Sequence, residues 1–179
     1  MISGKKKFTF FFILLFNFEV VLASDKTKII DKLNQTKTIK FKFIQKTDGK
    51  EETGSCYILF PGYLKCNYND SKQKELIINK KNLAITQKRY DKTYYYPVSK
   101  SPFLKILNKV ELINLIKNSK LSIQNNRIVL SNLGSSNQLI KVFFDNERNE
   151  LVGWEIIDQF GKKINFSINI INTNESLNK

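Results

Sequence analysis

The 179 residues carry 30 lysines and arginines against 16 acidic residues, a formal charge of +14, and not one histidine. Without histidine the commonest general base and nucleophile activator is missing. No G-x-S-x-G elbow, phosphate loop or glycine-rich dinucleotide turn takes its place, so neither an enzyme nor a cofactor is expected. A charge of this size can steer a chain to a polyanion, but the lysines are spread along the whole sequence at alternate strand positions and arginine is confined to Arg89, Arg127 and Arg148, so no nucleic-acid partner is expected.

Residues 1–23 have the three-part layout of a secretory signal peptide: the basic run Lys5-Lys6-Lys7, an apolar run over 8–16, and Val21-Leu22-Ala23 with a small residue at its end. The apolar run is shorter than the roughly 20 residues a membrane helix needs, and Asn17 and Glu19 interrupt the segment. The expectation is a cleaved leader, 1–23, ahead of a single exported domain, 24–179. In an oxidising compartment the isolated pair Cys56 and Cys66 reads as one disulfide. Two thiols and no histidine cannot complete a tetrahedral zinc set, so no metal is expected.

Beyond the leader, Ile29, Ile30 and Leu33 stand at helical spacing, with Asp25 where an N-cap would sit, and predict one amphipathic helix over 25–36. The period then changes to two. Ile39, Phe41 and Phe43 alternate with Lys40 and Lys42, a strand with one dry face. Strands at 54–60 and 63–69 flank the turn pair Pro61-Gly62, and others are expected at 75–79, 83–88 and 92–97. Residues 101–118 break the β pattern: Ser101-Pro102 can cap and start a helix, and the run that follows is apolar over more than half its circumference, as one helix or as two broken near Asn108. Strands resume at 120–124, 127–132, 138–145, 150–158 and 163–171, with turns at Asn125-Asn126, 146–149 and Gly161. The fold class is therefore mainly β: eleven antiparallel strands, an N-terminal helix and a helical lid inserted after strand six. So many strands curl toward a barrel.

Alternation turns large apolar side chains to the concave side of such a sheet. The candidates for an apolar cavity are Ile39, Phe41, Phe43, Ile58, Phe60, Leu64, Tyr68, Val142, Phe144, Trp154, Ile156, Ile164, Phe166 and Ile168 from the strands, with Phe103, Leu104 and Leu107 from the lid. Two short helices leave part of that volume unfilled, so a greasy hollow able to take a ligand is expected.

The hairpin over 54–68, Gly-Ser-Cys-Tyr-Ile-Leu-Phe-Pro-Gly-Tyr-Leu-Lys-Cys-Asn-Tyr, resembles that of the LolA-like family of outer-membrane lipoprotein carriers. So do Phe41-Lys42-Phe43-Ile44-Gln45 before it, and Leu76-Ile77-Ile78, Pro97, Ser101-Pro102-Phe103-Leu104 and Leu151-Val152-Gly153-Trp154 after it. The resemblance implies an unclosed, half β-barrel with a helical lid, working in the periplasm as a monomeric chaperone for triacylated lipoproteins. It implies two further partners: an inner-membrane ABC-type release complex, and the outer membrane or its lipoprotein receptor. Family members often carry an arginine before the turn proline, bonded to the lid; here Phe60 stands there, and Leu64 and Cys66 replace the aromatic residues of the return strand. Pairing the strands around Pro61 puts Cys56 opposite Cys66, each five residues from it, within reach of a cross-strand bridge. The competing reading is a non-enzymatic envelope binding module on a similar half-barrel, a stress sensor or a lipoprotein receptor. A receptor would itself be lipidated on a cysteine after the leader, where Ser24 and Asp25 stand.

Overall fold

The computed structural model describes residues 17–80, 82–97, 104–133, 139–157 and 161–175. Phe103 and the Ser101-Pro102 cap lie outside the described residues, as do residues 1–16 of the expected leader. Helix α1 spans Asn17–Gln35, beginning well before the cap expected at Asp25. No glycine or proline interrupts 17–35, so nothing stops the hydrogen-bond ladder at Asp25. That residue lies inside the helix, 3.7 Å from the Lys28 ammonium. The helix closes where the Thr36 hydroxyl donates to the Lys32 carbonyl at 2.8 Å.

The strands are β1 (Thr38–Thr47), β2 (Lys50–Leu59), β3 (Tyr63–Tyr68), β4 (Lys74–Asn79), β5 (Asn82–Gln87), β6 (Lys92–Pro97), β7 (Lys120–Gln124), β8 (Arg127–Leu133), β9 (Leu139–Asp145), β10 (Leu151–Ile157) and β11 (Lys163–Thr173). They form one eleven-stranded sheet in the order β6-β5-β4-β3-β2-β1-β11-β10-β9-β8-β7, antiparallel at every step. A plain meander would leave the first and last strands at its free edges. Instead β1 pairs with β11 along its whole length, Phe43 opposite Ile168 and Gln45 opposite Phe166. The two free edges are thereby β6 and β7, and the chain between them carries the lid. The lid is two helices, α2 (Leu104–Leu107) and α3 (Lys109–Asn118). They are broken at Asn108, whose carboxamide oxygen accepts from the Val110 and Glu111 amides at 3.0 and 3.3 Å, an N-cap that stops one helix and starts the next.

Alternation sorts the sheet into two faces. On β10, Trp154 and Ile156 turn inward, while Glu155 turns outward between Lys141 of β9 and Asn165 of β11. Glu155 is buried, which works against its ionisation, but hydrogen bonds from Lys163 at 2.9 Å and Lys141 at 3.1 Å outweigh that and hold its carboxyl below the usual range. Among the described residues it is the one buried charged side chain.

Cys56 faces Cys66 across β2 and β3 and the two are joined as a disulfide. Closing a loop of this length stabilises a fold by about 2–3 kcal/mol through the unfolded chain it restricts. Urea unfolding with and without a thiol reductant should differ by that amount; superimposable curves would show that the bridge contributes nothing.

Candidate functional site

The inward residues of the central strands and the lid form one apolar cluster. Ile39, Phe41 and Phe43 come from β1, Ile58 and Leu64 from β2 and β3, and Phe60 from the turn between them. Val142, Phe144, Trp154, Ile156, Phe166 and Ile168 come from β9 to β11, and Leu107 from the lid. Tyr68 and Leu104 are half-buried against that cluster, and Ile164 is half-buried at the strand end, opposite Ile156 and Thr47. The structure thus brings the described candidates to one concave face.

At its centre the Phe166 ring lies flat on Trp154, centroids 4.5 Å apart and 6° from parallel, and is stacked on Phe43 at 4.7 Å. Phe41 meets it edge-on at 6.5 Å, and Tyr68 meets Phe43 edge-on at 4.9 Å. Tyr68 marks where the face turns polar. Its hydroxyl donates to the Gln45 carboxamide at 2.9 Å. Burial, and then the negative charges of Glu52 and Asp70, push that hydroxyl's pKa far up. Lys74 lies 3.7 Å over the Tyr68 ring and 2.7 Å from Glu52. A crevice of about 510 Å³ opens at this end, lined by Tyr68, Lys74, Glu52 and the loop from Asn69 to Lys72.

At the opposite end three elements converge. The Gly62 amide, in a turn that needs positive φ (+83°), donates to the Leu107 carbonyl at 2.9 Å, and the Phe60 amide donates to the Lys37 carbonyl at 3.0 Å. Lys109, the first residue of α3, lies 5.5 Å over the Phe60 ring and reaches the end of α1, donating to the Thr36 carbonyl at 2.6 Å. Burial and the neighbouring Lys37 hold the Lys109 ammonium below its ordinary pKa. The position at which family resemblance leads one to look for a lid-bonding arginine is therefore occupied by an aromatic ring, and the cation comes from the lid.

Beneath the lid, its apolar side chains pack on the sheet. Ile106, Leu107, Leu112 and Ile116 are fully buried in the same cluster as the sheet residues. Neither the polar crevice nor a second depression of about 380 Å³, lined by Phe43, Gly54 and Ile168 with Lys42, Ile44 and Asn169, is bordered by a lid residue. Sequence reasoning did not place Ile128, Leu130 and Ile140 on this face, yet they are buried in it. The run Ile128-Val129-Leu130 is continuously apolar, so alternation alone could not choose its inward members; the pairing of Leu130 with Val142 does.

The family model described as outer membrane lipoprotein carrier protein LolA matches residues 34–179, the whole sheet and lid. The chain belongs to the LolA family. No curated protein matches by sequence. Among solved structures, an uncharacterised conserved protein from Thermus thermophilus covers 86% of this LolA-family chain and 88% of its own length at 8% identity, with a TM-score of 0.52. Lipoprotein LppX of Mycobacterium tuberculosis covers 89% and 98% at 13% identity, with a TM-score of 0.49. A LolA superfamily protein from Nitrosomonas europaea covers 80% and 91% at 6% identity, with a TM-score of 0.37. At 8% identity the likeness to the Thermus protein speaks to fold alone. Among the described residues, no helix of this LolA-family chain is long and apolar enough to cross a membrane, and no group of histidine, cysteine and acidic side chains is arranged to hold a metal.

Proposed function

We propose that this LolA-family protein is a periplasmic carrier that shelters the acyl chains of triacylated lipoproteins. It would take them from an inner-membrane ABC-type release complex and hand them to the outer membrane or to a receptor there. The observation that carries this reading is the uncharged inward face of the sheet, packed under a helix pair that the chain inserts between the two edge strands. Each methylene in water costs about 0.8 kcal/mol, so three acyl chains strand tens of kcal/mol of apolar surface and need a shelter to cross an aqueous gap. A pocket without a charged anchor suits a carrier that must also let go. Because Ile106, Leu107, Leu112 and Ile116 are buried against the sheet, uptake beneath them requires the roof to lift or these side chains to repack. Cleavage after Ala23 would leave an α1 of 24–35 on the exported domain.

Purification of the protein from envelope extracts, followed by mass spectrometry, tests the reading. Triacylated proteins should co-purify, and in amounts that fall when acylation is blocked. Recovery of the protein with no acylated companion, or with companions indifferent to acylation, would overturn it in favour of an envelope binding module of another kind.

A further inference from the structure

Helices α1 and α3 are capped by one another. The last four carbonyls of an α-helix lack intrahelical partners and carry its partial negative charge. At the end of α3, the Lys117 and Ser119 carbonyls accept from the Lys26 ammonium of α1, at 3.1 and 2.7 Å. At the end of α1, the Asn34 and Thr36 carbonyls accept from the Lys109 ammonium of α3, at 3.4 and 2.6 Å. The helices are thus antiparallel, and the step from Lys26 to Thr36 equals that from Lys109 to Ser119. Ile29 and Leu33 of α1 and Leu112, Leu115 and Ile116 of α3 are buried in one cluster.

Local preference does not explain this. Lys109 is the first residue of α3, where a cation opposes the dipole of its own helix, and among the described residues neither lysine has an acidic partner. What offsets the misplacement is the other helix's C-terminus, available only while α3 lies on α1.

The two contacts are not equivalent. α3 runs directly into β7 at Lys120, so its C-terminal end is tethered by the chain whatever Lys26 does. Among the described residues, its N-terminal end is joined to α2, packs through the buried Ile106, Leu107 and Leu112, and is held by polar contacts from Lys109 to the end of α1 and from the Gly62 amide to the Leu107 carbonyl. We infer that Lys26 and Lys109 form a reciprocal clasp between α1 and α3, with Lys109 the latch at the swinging end of the roof and Lys26 the pin at its hinge, and that release of the latch admits the ligand. The last step rests on the lipid-binding reading; the clasp does not. Both lysines are positioning residues, since their ammonium groups bond to backbone and not to cargo.

Hydrogen–deuterium exchange on the protein produced from its full sequence tests the clasp. Lys109→Met should speed exchange of the α3 amides by about tenfold or more, as loss of a charged hydrogen bond predicts, while amides of β1 and β11 stay as slow as before. Lys26→Met should give a smaller acceleration, concentrated at the end of α3, and Lys109→Arg should restore slow exchange. Unchanged α3 exchange in Lys109→Met, or equal acceleration in β1 and β11, would overturn the clasp. Stopped-flow mixing with a fluorescent long-chain fatty acid provides the second readout: the probe should enter Lys109→Met about tenfold faster than the parent chain, in step with the exchange. Equal rates despite faster exchange would overturn latch release as a step in uptake. If exchange responds as stated and the probe binds neither protein, the clasp stands and the lipid-binding reading falls.

Discussion

Phe166→Ala should lower the unfolding free energy by about 3–5 kcal/mol, the range for deleting a large buried aromatic side chain that its surroundings cannot replace. Phe166 lies on β11, between β1 and β10, paired with Gln45 on one side and Trp154 on the other. Its ring is the common neighbour of Trp154, Phe43 and Phe41, so one truncation breaks three aromatic contacts, each adding about 0.5–1.5 kcal/mol beyond the area buried. Collapse into the vacancy is hindered because the facing rings hang from central strands, hydrogen-bonded on both sides. Urea unfolding followed by circular dichroism measures the loss. Fluorescence of Trp154, the sole tryptophan, should shift in the folded state as well, since the ring stacked on it is gone. A loss below about 1.5 kcal/mol would place Phe166 in a site able to close over itself, and the stack would not then organise the concave face.

That stack also shows how far the sequence could be followed. Ile39-Phe41-Phe43 and Ile164-Phe166-Ile168 alternate with lysine, serine and asparagine, so their faces were legible at once. Which strand lies beside which was not. Both runs have the same pattern, and period two specifies a face, never a partner; only the three-dimensional pairing joins β1 to β11 and moves the opening to the lid. The break at Asn108 was one of two readings the sequence left open, marked by an asparagine that competes for backbone amides; the disulfide was legible because Cys56 and Cys66 are equidistant from the Pro61 turn. The start of α1 was misplaced because a good cap residue, Asp25, is overridden when helix-compatible residues precede it. The clasp left no trace at all: its acceptors are backbone carbonyls, which any residue supplies, and its donors are two lysines in a chain full of them. The burial of the lid's side chains in the sheet's cluster was equally hidden, since alternation fixes the direction of a side chain and not how closely a roof settles on it.

Gly54→Val should cost about 3 kcal/mol or more, the upper part of the range for overpacking, although valine is the better strand former by up to about 1 kcal/mol. Gly54 lies in the interior of β2, opposite Phe43 on one side and Tyr68 on the other. A Cβ placed there would run into the Asn67 carbonyl oxygen of β3 and come within 2.8 Å of two carbons of the Phe43 ring. The ring lies across the glycine and covers it; any side chain at 54 must lift Phe43 off its place against Phe166. The two obstacles differ in kind. A ring can rotate away, at the expense of its stacking, whereas the Asn67 carbonyl belongs to the β2–β3 ladder one residue from Cys66, where the disulfide to Cys56 ties the strands together. A double-mutant cycle with Phe43→Ala separates them. If Phe43 is the main obstacle, the double variant should be more stable than the sum of the single losses by about 1 kcal/mol or more. If the backbone is, the losses should add, and strand separation should appear as faster amide exchange in β2 and β3 alone. A Gly54→Val chain within about 0.5 kcal/mol of the parent would contradict both, because it would mean that the ring does not rest on the bare backbone and that the concave face is looser at its centre than these contacts allow.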